Sequence, residues 1–88
     1  MVIWKYPLQI KKVQVLQMPE GSQILCVQVQ NNTPTLWACV DDSAQIVDRS
    51  ILMAGTGHEF HGFDASEYIG TVQTDGGSFV WHCFDGGC

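Results

Sequence analysis

The chain has 88 residues, 45 % of them hydrophobic and 15 % charged, with a formal net charge of −5. That length makes a single domain, 1–88, with a modest core, and four Lys plus Arg against nine Asp plus Glu leave no basic field for duplex nucleic acid. No apolar run approaches the ~20 residues of a membrane-spanning helix, and no charged segment followed by an apolar one reads as a signal peptide.

Val2 to Ile10 is predicted as the first strand, with Pro7 marking an edge or a bulge. Lys12 to Met18 alternates, with Val13 and Val15 on one side and Gln14, Leu16 and Met18 on the other. Pro19 to Ser22 is a turn. Leu25, Val27 and Val29 then share a face, and Cys26, Gln28 and Gln30 share the opposite one. A loop at Asn31 to Pro34 leads into a return strand, Thr35 to Val40. Centring that loop pairs Val27 with Ala38, Gln28 with Trp37 and Cys26 with Cys39. Asp41 to Ala44 closes the hairpin and is followed by a loop or a single helical turn. Arg49 to Ala54 is a further strand that runs into Gly55-Thr56-Gly57-His58, and residues 59–66 form the longest irregular loop. Such loops on small β domains often carry function. Glu67 to Phe84 is a hairpin around Asp75-Gly76, because Asp-Gly supplies the positive φ angles of a two-residue turn. That register sets Val72 opposite Phe79, Gly70 opposite Trp81 and Ile69 opposite His82. The pattern predicts an all-β domain, a small antiparallel sandwich or half-open barrel of about seven strands.

Four constellations could carry chemistry. Gly55-Thr56-Gly57-His58 could turn backbone N–H groups outward as an anion-binding nest, or it could simply end a strand. It is no P-loop, since no Gly-Lys-Ser/Thr follows. His58, Glu59, His61 and Asp64, with His82, contain metal-ligand chemistry, but their spacing is not that of a helical His-Glu-x-x-His pair. Cys26 and Cys39 could bridge, although the absence of a Cys-x-x-Cys spacing favours reduced thiols in a cytoplasmic protein. Cys83 beside His82 is poorly placed as a nucleophile, because neighbours on a strand face opposite ways. Trp4, Lys5 and Tyr6 with Arg49 could stack a base and neutralise a phosphate. Trp4 and Tyr6 share a face, however, and Lys5 lies on the other.

The segments Ile3-Trp-Lys-Tyr-Pro-Leu8, Ile24 to Val40, Gly55 to His58, Glu67-Tyr-Ile-Gly-Thr71 and Val80-Trp-His82 together resemble a family of short single-domain proteins spread through tailed bacteriophages and prophages. The resemblance covers nearly the whole chain. It implies a setting, the cytoplasm of an infected bacterial host, and no reaction. The family's loop keeps Gly-Thr-Gly-His without a second His like His61, and the tail Asp85 to Cys88 departs from it as well.

Small accessory phage proteins commonly act on host immunity. The function expected in that setting is sequestration of a nucleotide-type immune second messenger, such as a cyclic dinucleotide or a cyclic ADP-ribose derivative, with neither enzymatic activity nor a cofactor. A domain with so little charge is also expected to associate with itself. The expected ligand-binding residues are Trp4, Tyr6, Trp37 or Trp81 under the base, and Gly55, Thr56, Gly57 and His58 at the phosphates with help from Arg49, Lys5 or Lys12; His82 is expected at the same site. Arg suits a phosphate because its planar fork meets two oxygens at once. The alternatives are a protein–protein inhibitor of a host defence protein and a structural or assembly protein without a ligand. A small hydrolase is less well supported, since no nucleophile–base arrangement stands out.

Overall fold

A computed structural model describes residues 1–61 and 66–88 of the chain. Among these, seven strands form: β1 (Val2–Pro7), β2 (Val13–Pro19), β3 (Gln23–Gln30), β4 (Thr33–Val40), β5 (Ile46–Gly55), β6 (Glu67–Thr74) and β7 (Phe79–Gly87). They make two sheets, one ordered β1-β4-β3 and the other β2-β5-β7-β6, and every neighbouring pair is antiparallel. The result is an all-β open sandwich with a short 3-10 turn at Asp75–Gly77. No described helix is long and apolar enough to cross a membrane.

Strand alternation fixes the core. Leu36, Ala38 and Val40 of β4, Ile51 and Met53 of β5, Met18 of β2 and Cys83 of β7 are buried and meet between the sheets. The opposite face of β2 leaves Val13 and Val15 each 53 % exposed, as the alternation predicts. β1 stops at Pro7, short of the expected Ile10. One further bond runs from Leu8 N–H to Pro34 O, and the chain then crosses to the other sheet. The buried Gln14 amide holds that crossing by accepting from Gln9 N–H at 3.0 Å and donating to Gln9 O at 2.8 Å.

Both predicted hairpins shift by two residues. Asn31 and Asn32 take φ of 52° and 60° and form the turn by themselves, so Val27 lies opposite Leu36 and Cys26 opposite Trp37. Asn tolerates this left-handed region, which the two-residue hairpin turn demands. Cys39 faces Gln23 and Ile3, and all four cysteines are free thiols. In the last hairpin Asp75, Gly76 and Gly77 all have positive φ. The connection is therefore longer than two residues, and Thr74 pairs with Phe79, Val72 with Trp81 and Gly70 with Cys83. A shift of two keeps side chains on their predicted faces between each turn and the nearest bulge.

β-bulges interrupt the ladders between Ile24 and Cys26, between Tyr68 and Gly70, and between the Ser50–Gly87 and Ile51–Asp85 pairs. The first of these breaks the expected shared face of Leu25 and Val27: Leu25 is 47 % exposed and Val27 is buried.

The two sheets meet along β3 and β6. A Cβ on Gly70 would lie 3.0 Å from Val27 Cγ1. Beyond that contact the two turns clasp each other: Asn32 Nδ2 donates to Asp75 Oδ1 at 2.6 Å, and Asp75 N–H donates to Asn32 Oδ1 at 2.8 Å. Gly70→Val is expected to lower stability by about 1–3 kcal/mol through overpacking. A denaturant titration should show that adding Val27→Ala recovers part of the loss.

Candidate functional site

β5 and β7 run side by side through the middle of the larger sheet, and their inward residues form rows: Gly55 with Trp81, Met53 with Cys83, and Ile51 with Asp85. The central pair is buried core. Each end opens to a hollow, one lined by aromatic and imidazole groups and the other by ionic groups.

The aromatic end is built on the strand-ending turn. β5 stops at Gly55, His58 N–H donates back to Gly55 O at 3.0 Å, and Gly57 sits at φ +86°, where a side chain would be strained. The His58 ring folds over Gly55: a Cβ there would lie 2.7 Å from His58 Nδ1 and 3.2 Å from Trp81 Cζ3. Gly55 is therefore the floor on which imidazole and indole meet. Trp81 Nε1 donates to Thr74 Oγ1 at 3.1 Å, which fixes the indole, and the Phe79 ring lies at 6.1 Å and 22° to it. A hollow of about 220 Å³ lies between Trp81, His58, Met53, Gly55 and the Ile10–Lys12 crossing. Lys11 and Lys12 stand at its rim with Glu59, and Lys12 O accepts from Met53 N–H at 2.9 Å, which holds the crossing in place. A second hollow of about 170 Å³ lies on the other side of His58, against Thr56, Phe79 and Trp81.

His82 faces the outside of the sheet at the same end. Its Nε2 lies 2.6 Å from Thr56 Oγ1 and its Nδ1 2.9 Å from Thr71 Oγ1, which in turn meets Tyr68 OH at 2.6 Å. The imidazole thus ties the turn, β7 and β6 together and does not line the hollow with His58. The candidate metal ligands are likewise dispersed. His61 meets Glu59 at 3.3 Å on the surface, His58 covers Gly55, and Asp64 lies outside the described residues. No cluster of three His, Cys, Asp or Glu suited to a metal occurs among the described residues.

The remaining expected ligands lie elsewhere. Arg49 is on the inward face of β5 but roughly 20 Å along the strand from Gly55. Its fork is already engaged: Nε and Nη2 donate to Asp85 Oδ1 and Oδ2 at 2.9 and 2.6 Å, and Nη1 donates to Ser22 O at 3.0 Å. Both side chains are largely covered, 14 % and 13 % exposed. Arg49 therefore serves an ion pair and is not joined to the Gly55–His58 turn. Trp37 and Lys5 lie opposite each other on the outer face of the smaller sheet, and Lys5 Nζ donates to Gln30 Oε1 at 2.8 Å. Trp4 and Tyr6 point inward from β1. Tyr6 packs against the core with its hydroxyl unpartnered among the described residues, and burial raises its pKa. Cys83 is buried, and loss of solvent pushes its thiol up to about 11, which leaves it protonated and unreactive at neutral pH.

Phe79 and Lys11 were not marked by the sequence pattern. Phe79 could have been found from parity, since it shares a strand face with Trp81. Lys11 could not, because only the crossing between β1 and β2 brings it to β5.

The chain belongs to a family of domains of unknown function (DUF7352), which it matches over residues 1–87. No curated protein and no solved structure matches it.

Two outcomes follow from these contacts. The Arg49 guanidinium holds the Asp85 carboxyl below the usual carboxylate range, so the pair stabilises the fold above about pH 4, and that contribution is lost as pH falls through the folded value. Asp85→Asn should flatten this acid limb and cost about 2 kcal/mol at neutral pH in chemical denaturation. Tyr6→Phe should be neutral or gain about 1 kcal/mol, because it deletes a buried hydroxyl with no partner.

Proposed function

We propose that this protein captures a small anionic ligand bearing a flat ring, of the nucleotide class, at the Gly55–His58 turn, and acts by holding it rather than by transforming it. The observation that carries this reading is the rigid wall of Trp81, fixed by Thr74 and extended by Phe79, next to His58 and two lysines at one hollow. A ring stacked on an aromatic face gains about 1–3 kcal/mol. Lys11 and Lys12 offer the positive charge for a phosphate, locally and against the net charge of −5. That net charge slows the encounter with an anion without opposing a short-range contact.

A hollow of about 220 Å³ is smaller than the usual pockets of ~300–1,000 Å³ for whole ligands. It holds a ring, and the rest of a dinucleotide would extend across the second hollow or be closed over by another copy of the chain. Self-association is part of the proposal. β1 is an edge strand on which Val2, Ile3 and Trp4 are 38, 63 and 39 % exposed, and Met1 just before it is 80 % exposed. The resemblance to small phage proteins supplies the biological reading: capture of a nucleotide immune second messenger in the infected cell. Capture at working concentrations needs micromolar affinity or better, ~8 kcal/mol. The same exposed edge favours a second reading, in which β1 adds to a sheet of a host protein and masks it.

Thermal-shift titration with a panel of cyclic mono- and dinucleotides and cyclic ADP-ribose derivatives tests the proposal. At least one compound should raise the melting temperature and be released intact on heat denaturation. Trp81→Ala should then weaken its binding by about tenfold or more, with a smaller loss for Lys12→Ala. Absence of any shift, together with no nucleotide released from protein incubated with lysates in which such signalling is active, overturns it.

A further inference from the structure

At the opposite end of the sandwich, β3 and β6 diverge from their contact at Val27 and Gly70. Both strands run toward the clasped turns, so they lie parallel, joined at Asn32–Asp75 and open where they begin. The opening is a cleft of about 480 Å³. Its walls are Ile24 and Leu25 on one side and Ile69 on the other, and its floor is the Arg49–Asp85 pair.

Two of the three bulges among the described ladders fall on this cleft, with Leu25 and Ile69 as the extra residues, and the third, at Gly86, borders the adjoining hollow. A bulge leaves one residue's backbone groups out of the ladder and re-aims its side chain, and bulges gather beside functional sites. A packing fault would have no reason to recur on both β3 and β6 at one opening.

The charges here do not balance. Glu67 lies directly opposite Asp85 in the β6–β7 ladder, and both border the cleft. Like charges in facing positions on a sheet repel. Arg49 is the one cation among the cleft residues, and Asp85 takes two of its three hydrogen bonds; the third goes to Ser22 O. No described cation lies within ion-pair distance of Glu67, although its charge acts on Arg49 from further off. The cleft therefore carries one more negative than positive side chain, at the end of a trough whose lining is aliphatic at Ile24, Leu25 and Ile69 and otherwise mostly polar.

The geometry points to a binding site for an alkyl-guanidinium or alkyl-ammonium group, its stem lying between Ile24, Leu25 and Ile69 and its charged head on Glu67. Such a group has the shape of the site, an apolar stem that ends in a cation. The head can come from a free amine-type metabolite or from a basic side chain of another protein. A phosphate or carboxylate ligand is disfavoured by the same charge count that favours the cation.

Two probes separate those sources: agmatine as the free cation, and N-acetylarginine amide as the side chain on a peptide unit. Each is titrated into the full chain at low ionic strength, with methyl and amide NMR shifts as the readout. Saturable shifts are expected at Ile24, Leu25 and Ile69. Glu67→Gln should weaken binding by about fivefold, whereas Asp42→Asn, a change in the turn after β4, should leave it unchanged. Tighter binding of agmatine identifies a free cation, and tighter binding of the arginine amide identifies a partner chain. Shifts scattered over the acidic surface, or equal affinity in the Glu67→Gln protein, overturn the proposal. Glu67 is exposed, so the variant keeps its fold, and its denaturation curve verifies that.

Discussion

The approach of β3 to β6 is the contact on which the rest depends. Each sheet of this domain is too small to bury its own apolar face, and only the meeting of the two gives Met18, Leu36, Ile51 and Met53 a common interior. The meeting is possible because Gly70 has no side chain where Val27 arrives. The reciprocal bonds between Asn32 and Asp75 then fix how far along the strands the contact lies. A single side chain at position 70 would push the sheets apart and loosen every layer behind them.

The same joint explains why the two ends of the molecule differ. Near the clasped turns the sheets are held close, so Trp81 is braced by Thr74 and the space beside it is narrow. At the other end bulges turn the backbones of β3 and β6 aside. There the interior row ends in Arg49 and Asp85. A largely covered ion pair is costly to dehydrate, and it persists because the guanidinium is held by three hydrogen bonds to defined acceptors.

Much of this could be read from residue order. Alternation placed Gln14, Leu16 and Met18 on one face and Val13 and Val15 on the other, and turn residues marked both hairpins. What alternation could not give was register. Asn31-Asn32 closes its turn in two residues, while Asp75-Gly76-Gly77 needs a longer one, and those differences depend on φ angles that the sequence leaves open. Near each turn the register moved by two residues, so faces survived and partners did not; past the bulges at Leu25 and Ile69 the faces changed as well. Trp81 and His58 were legible as candidates because an aromatic strand residue and a Gly-flanked imidazole are unusual locally. The separation of Arg49 from them was not legible, since it depends on one long strand carrying both ends of the interior. Glu67 facing Asp85 was hidden by the bulge at Ile69.

The chain places its last strand in the interior of a sheet: β7 lies between β5 and β6. During synthesis, therefore, β5 and β6 have no neighbour in common until residues 79 to 87 have left the ribosome. Contacts between distant segments close slowly, and a half-made sheet exposes apolar edges while it waits. Closure of the larger sheet therefore waits on β7, and until it is in place the β2–β5 pair and β6 stand apart with apolar edges uncovered.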